Sequence, residues 1–207
     1  LLALCERYDA LLLLDDAHGF GVLGPQGRGS LAEAGLTGAQ AARRVLYMAT
    51  LSKAAGVAGA FVAGDATLIE WLLQKVRTYT FATAAPALLA NALRTSVRLI
   101  EQGDALRVQL QARVAQLRAG LLPLCNAATG WRLLDARTPV QALVIGDNAR
   151  ALAAMESLRQ QGLWVPAIRP PTVPAGTARL RIALSAAHTA QDVQRLVDAL
   201  AEIARRR

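Results

Sequence analysis

The chain has 207 residues, 54% of them hydrophobic but only 4% aromatic, enough for one large or two small domains with cores of Leu, Ala and Val. Its net charge of +8 comes from scattered arginines whose single run is Arg205-Arg206-Arg207, and there are too few aromatics for a base-stacking surface, so no nucleic-acid partner is expected. Cys5 and Cys125 match no metal or redox spacing, no signal peptide is visible, and no apolar run reaches the ~18 residues of a membrane span; a cytoplasmic α/β protein with no metal and no membrane partner is expected.

Leu1 to Tyr8 reads as the end of a helix that feeds a strand at about 11 to 15. The unbroken run Leu11-Leu12-Leu13-Leu14 suits a strand covered on both faces in a parallel sheet. Such a strand needs neighbours, so the chain reads as a fragment whose earlier strands lie outside it. A glycine-rich loop (18 to 30), a strand (45 to 49), a loop carrying Lys53 and another strand (59 to 63) follow. Asp65 then caps a helix whose apolar face is Leu68, Ile69, Leu72 and Leu73, and Thr78 to Phe81 reads as a short strand.

From Pro86 to Leu122 the pattern is helical, with Leu106, Leu110, Val114, Leu117 and Leu121 on one side. An interruption at Gly103-Asp104 places a domain boundary there, giving domains of 1–103 and 104–207. The second domain reads as a smaller α+β unit: strand 140 to 145, helix 149 to 161, alternating strand 179 to 184 and closing helix 190 to 205. Thr189 and Asp192 have capping-box spacing, with Val193, Leu196, Val197, Leu200 and Ile203 as the stripe behind them. His188 beside that helix start is read as structural.

Reactive side chains concentrate in two stretches. Asp15-Asp16-Ala17-His18-Gly19 ends the first strand, and open α/β sheets place their sites at the carboxyl ends of parallel strands. Carboxylates buried there need a partner, and a protonated pyridine nitrogen would serve. Lys53 lies in Ala49-Thr50-Leu51-Ser52-Lys53-Ala54-Ala55-Gly56 between two apolar runs. Apolar surroundings disfavour the ammonium form and make an amine nucleophile that can form a Schiff base. Thr50, three residues earlier, offers a hydroxyl to a phosphate. Taken alone, a lysine in such a place is far more often a surface lysine in a loop between two strands, and it is the upstream motif that favours the reactive reading. Gly19-Phe20-Gly21-Val22-Leu23-Gly24 matches G-x-G-x-x-G, but Pro25, Gly27 and Gly29 extend the loop where a dinucleotide fingerprint opens a helix.

Asp15-Asp16-Ala17-His18-Gly19, Gly24-Pro25-Gln26-Gly27-Arg28-Gly29, Thr50-Leu51-Ser52-Lys53 and the stretch from Ala167 to Ile182, in this order, resemble the α-oxoamine synthase family. The resemblance covers essentially all 207 residues but only the C-terminal half of the family's usual chain. It implies an aspartate-aminotransferase-like, pyridoxal-phosphate-dependent transferase fold: part of the large, mostly parallel-sheet domain plus a smaller C-terminal α+β domain. It also implies pyridoxal 5'-phosphate as cofactor and an acyl transfer to an amino acid. The form of the Asp-His motif looks most like the biotin-pathway branch, which implies L-alanine and a pimeloyl thioester as substrates and a homodimer as the complete assembly.

Residue by residue, the resemblance implies that Lys53 carries the cofactor, that Asp15 holds its pyridine nitrogen and that His18 contacts its phenolic oxygen. Thr50 falls on the phosphate position, and Thr83 on a segment that in family dimers reaches the partner's site. Arg181 and Arg169 match the arginines near the amino-acid carboxylate, for which a guanidinium fork is suited. Ser52 stands where many members of that branch carry glycine. Glycine C-acetyltransferase and 5-aminolevulinate synthase, other branches of the family, remain open, as does a remnant without chemistry. The family's ring-stacking histidine belongs to the half not represented in this sequence.

Overall fold

The structure is a computed structural model that describes residues 1–41 and 43–206; Arg207, the end of the terminal arginine run, lies outside them. It divides into two compact units, Leu1–Arg107 and Val108–Arg207.

In the first unit, α1 (Leu2–Arg7) leads into β1 (Leu12–Asp15), and the glycine loop runs into the short α2 (Ser30–Glu33), which precedes α3 (Gly38–Ala41). β2 (Val45–Thr50) pairs with β1 in parallel, from Leu12 opposite Val45 to Asp15 opposite Met48. β3 (Ala60–Ala63) returns antiparallel, with Ala60 opposite Thr50. The order β1-β2-β3 leaves β1 on the edge of this sheet. Leu11 and Leu13 are 54% and 63% exposed, so the strand expected to be covered on both faces is covered on one. The leucine run reports what β1 can bury, whereas exposure is set by what packs on it, and among the described residues of this unit nothing covers that face.

Asp65 caps α4 (Ala66–Lys75) by accepting from the amide of Thr67 at 2.9 Å. Leu68, Ile69 and Leu72 are half-buried and Leu73 is exposed. The strand expected at 78 to 81 is instead one helical turn, α5 (Arg77–Thr80). The amides of Thr80 and Phe81 bond back to the carbonyls of Val76 and Arg77, at 3.0 and 3.2 Å. Among the described residues the β-forming side chains there have no adjacent strand to pair with, and the local bonds win. α6 (Ala87–Glu101) and α7 (Asp104–Leu121) part at Gly103, as the sequence pattern predicts. Leu106 is 58% exposed, and the α7 stripe is buried only from Leu110 onward.

The second unit is built on an antiparallel sheet in the order β4-β5-β7-β6, from β4 (Arg132–Leu133), β5 (Val140–Gly146), β6 (Ala167–Ile168) and β7 (Ala178–Ala183). α8 (Asn148–Gln160) and α9 (Ala190–Arg205) complete it. Leu117, Leu121, Leu143, Leu158, Leu180 and Leu200 are fully buried together, each contributing about 2 kcal/mol by removal from water. Buried Gln141 donates to the carbonyls of Ala136 and Thr138 and accepts from Arg118, which pins the chain before β5. His188 accepts from the amide of Ser185 at 3.0 Å, in keeping with a structural role.

α9 starts with the expected capping box: Thr189 accepts from the Asp192 amide at 3.1 Å, and Asp192 accepts from the Thr189 amide at 2.9 Å. These bonds from Thr189 hold the Asp192 carboxyl below the usual carboxylate range. A group depressed on folding contributes stability above its unfolded value and loses it as pH falls through the folded value. Thr189→Ala should cost about 1 kcal/mol and weaken the acid sensitivity of the second unit, as read from urea midpoints at neutral and acidic pH.

Candidate active site

Parallel pairing of β1 and β2 turns both carboxyl ends toward one edge of the first sheet. The Asp16 amide donates to the Met48 carbonyl at 2.8 Å, so the ladder runs one residue past β1. Asp15 and His18 leave this edge on one strand, and Thr50 and Lys53 on the next. Strand alternation then separates the two aspartates: Asp15 is exposed, whereas Asp16 is 3% exposed. Asp15 accepts from the Ala17 amide at 3.0 Å, which holds its carboxylate at the strand end. The carbonyl of Asp16 accepts from Gly19 and Phe20 at 2.9 and 2.8 Å, closing the turn that presents His18 at the surface.

The Lys53 loop is anchored at its buried points. Leu51, Ala55 and Val57 face inward. Leu51 donates to Gly59 at 2.9 Å, Val57 donates to Leu51 at 3.0 Å, and the Ser96 hydroxyl holds the Ala55 carbonyl at 2.7 Å. Ser52, Lys53 and Ala54 are left outward. Lys53 is therefore exposed and not enclosed by apolar side chains as the flanking sequence predicts, because the apolar neighbours in sequence turn into the core and away from it. Its amine has no hydrogen bond or ion pair among the described residues. Thr50 lies half-buried with its hydroxyl 2.9 Å from that of Ser52. Ser52 thus has a defined contact at the position where the motif departs from its branch.

The glycine segment is a closed loop, not the start of a dinucleotide-binding helix. Gly21, Gly24, Gly27 and Gly29 all have positive φ, and the Gly21 amide donates to Gly27 while Gly29 donates to Leu23, both at 2.8 Å. A side chain at Gly21 would press on Ala54, so this loop packs directly beside the lysine. Phe20 stacks edge-on against Phe61 of β3 at 5.5 Å.

The sequence reading gave Asp16 no role. Its carboxylate accepts from the Ser30 amide at 2.8 Å, the Tyr47 hydroxyl at 2.7 Å and the Ser30 hydroxyl. Burial, then the Asp16 hydrogen bond and charge, push the Tyr47 phenol far above its ordinary value, so it remains a donor. The alternation of Asp15 and Asp16 was a visible clue that one of them points inward; its partners, 14 and 31 residues away, were not.

Thr83 is exposed in the segment between α5 and α6, outside the sheet. Arg169 and Arg181 belong to the second unit. Arg181 lies on the exposed face of β7, and its amide donates to the Pro166 carbonyl at 2.9 Å. Arg169 is exposed just after β6, whose Ile168 lies opposite Arg179, so the two arginines are not directly opposed.

Residues 1–200 match the model of the aminotransferase class I and II family. The chain belongs to that family. It is 76% identical over 202 residues to an 8-amino-7-oxononanoate synthase of Paracidovorax citrulli (strain AAC00-1), covering 98% of this chain and 49% of the relative. It is 74% identical over 205 residues to that of Delftia acidovorans (strain DSM 14801 / SPH-1), covering 99% and 50%. The chain thus spans about half the length of the curated relatives it matches. Among solved structures, the serine palmitoyltransferase of Sphingomonas wittichii covers 99% of this chain and 49% of its own, with TM-score 0.85 and 30% identity. A structure of SPT solved with PLP, 28% identical, gives TM-score 0.86 over 99% of this chain and 50% of its own. These similarities establish the aspartate-aminotransferase-like fold that the sequence motifs imply.

In this family member Gly29 borders the buried carboxylate, whereas Gly35 stands clear of it. A Cβ on Gly29, which has φ +86°, would overlap both the Asp16 carboxylate and the Tyr47 hydroxyl, while Gly35, at φ +71°, has nothing nearby. Gly35→Ala should cost about 1 kcal/mol. Gly29→Ala should cost clearly more, above about 2 kcal/mol, through strain plus a broken buried network. Thermal unfolding of the two variants side by side checks the order.

Proposed function

We propose that these 207 residues supply the lysine-bearing half of an 8-amino-7-oxononanoate synthase that uses pyridoxal 5'-phosphate to condense L-alanine with a pimeloyl thioester, carried by coenzyme A or a carrier protein. The observation that carries this reading is the parallel β1–β2 register, which delivers Asp15, His18, Thr50 and Lys53 to one sheet edge. The 76% identity to a relative of that name supports the substrate assignment.

The residues at this edge fit the cofactor's chemistry. Lys53 offers an exposed amine without a competing partner among the described residues, and Asp15 an exposed carboxylate fixed by one backbone amide. Lys53 Nζ would carry the cofactor and then take the proton from Cα of L-alanine. Asp15 would keep a proton on the pyridine nitrogen, and His18 would contact the phenolic oxygen. Thr50 would bond the phosphate, and Thr83 would reach the cofactor site of a second copy of the chain. Arg181 and Arg169 would hold the alanine carboxylate by paired N–H donors. When bound, the pyridoxal ring supplies an electron sink for charge developing at Cα. Cα then forms a bond to the thioester carbonyl, the thiolate leaves, carbon dioxide is lost from the resulting β-keto acid, and a proton returns to Cα. The complete assembly is read as a homodimer, and the remaining length of the relatives as the source of the other cofactor contacts.

The sequence contains only two lysines, Lys53 and Lys75, so covalent trapping has a built-in control. Incubation with pyridoxal phosphate, borohydride reduction and peptide mapping should label Lys53 over Lys75 by about tenfold or more, the ratio that a ~1.4 kcal/mol preference gives. Lys53→Ala should abolish the label. Equal labelling of both lysines in a folded sample would refute a built cofactor site in this chain.

A further inference from the structure

The buried cluster around Asp16 has no part in the reading above, although it adjoins each element of the site. Its carboxylate is buried, whereas Asp15 and His18 are exposed, and it receives donors from Ser30 and Tyr47. Three parts of the chain meet there. The first is the turn from Asp15 to Phe20, closed on the Asp16 carbonyl. The second is the glycine loop, whose far end is Gly29-Ser30 and whose middle, at Gly21, approaches Ala54 next to Lys53. The third is β2, where Tyr47 lies three residues before Thr50.

The space around the carboxylate is shaped for it. A Cβ on Gly19 would overlap one of its oxygens and a Cβ on Gly29 the other, so glycine on both flanks lets the backbone close around the side chain. The ring of Tyr47 packs at 5.8 Å from Phe61, which also contacts Phe20, so the phenol is held by its ring as well as by its hydroxyl. A buried carboxylate left without these donors would carry a large desolvation penalty. The cluster therefore has one low-energy arrangement, and that arrangement fixes where the turn, the loop and the strand lie relative to one another.

We infer that Asp16 is the positioning residue of this edge: bonded to Ser30 and Tyr47, it locks the Asp15–His18 turn, the glycine loop and β2 into one arrangement and thereby sets where a cofactor is held. The cofactor part of this inference rests on the function proposed above. Asp16 touches neither cofactor nor substrate, and its effect passes through the backbone of residues 15–19 and through Ser30.

The variants separate position from charge. Asp16→Ala removes every side-chain bond, and Tyr47→Phe removes one. Asp16→Asn keeps an oxygen for the Ser30 amide and the Tyr47 hydroxyl and turns its amide toward the Ser30 hydroxyl, which then accepts. Amide hydrogen exchange is measured on the full chain without cofactor. Tyr47→Phe should speed exchange across residues 17–29 by about tenfold, the loss expected for one buried hydrogen bond, and Asp16→Ala, which removes three, by more than that. Asp16→Asn should stay within about threefold of the parent, and residues 140–146 and 178–183 of the second unit should not change. Protection of 17–29 that survives Asp16→Ala, or Asp16→Asn behaving as Asp16→Ala does, overturns the inference. If Asp16→Ala does not fold, Tyr47→Phe decides by the same criterion.

A second measurement follows the visible absorbance of the Lys53-bound cofactor against pH. Its midpoint should move in Asp16→Ala and Tyr47→Phe and return in Asp16→Asn, a signature that loss of stability alone would not give. An unmoved midpoint overturns the positioning role. The expected exchange pattern in a parent chain that takes no label on Lys53 would sink the cofactor reading and uphold the coupling.

Discussion

A carboxylate inside a protein must find donors for its oxygens, and much of the first unit follows from how Asp16 meets that demand. Its donors come from 14 and 31 residues away, so satisfying them closes the glycine loop and ties it to β2 in one step. Parallel pairing then carries the consequence outward. Because β1 and β2 run in the same direction, side chains beyond their last paired residues emerge on one edge, and an inward Asp16 forces an outward Asp15. One buried group thus orients an exposed one of the same type.

The two units meet the cost of chain ordering differently. The second has large aliphatic side chains buried together, on α7, α8 and α9 and both central strands. The buried residues of the first are mostly small or mid-sized, such as Ala17, Ala41, Val45, Ala49, Ala55 and Val57. Small side chains bury little apolar area each, and so contribute less to stability. They also let backbone segments approach closely, as Gly21 approaches Ala54, and that is what a site made of loops requires. The first unit trades apolar burial for defined polar contacts at the edge where the reactive groups sit.

What the sequence disclosed divides along the same line. Helix ends governed by neighbours three or four residues apart were legible: Asp65 and the Thr189/Asp192 pair cap the helices expected of them. The succession of strands along the first unit was legible in outline because unbroken apolar runs alternate with glycine-rich turns, whereas the antiparallel return of β3 was not. The environment of Lys53 was not, since its apolar neighbours in sequence are anchors that turn inward. Thr78 to Phe81 misled because β-forming residues make a strand only beside another strand. The Asp16 cluster was invisible for a simpler reason: nothing local links Asp16 with Ser30 and Tyr47, and only the closed fold brings them together.

These features combine in the thermodynamics of the site. Leu11, Leu13, Trp71, Tyr79, Phe81 and Leu88 of the first unit all face solvent. A unit with such exposed apolar side chains and a core of small residues has modest stability of its own, and any ligand that binds its folded form alone adds stability through linkage. Such a ligand favours the arrangement in which the turn, the loop and β2 are in register. The Asp16 contacts favour the same arrangement without a ligand. Pre-organisation by a buried carboxylate and capture by an exposed lysine therefore act on a single equilibrium, and the more of the ordering the carboxylate accomplishes, the less of the binding energy is spent on it.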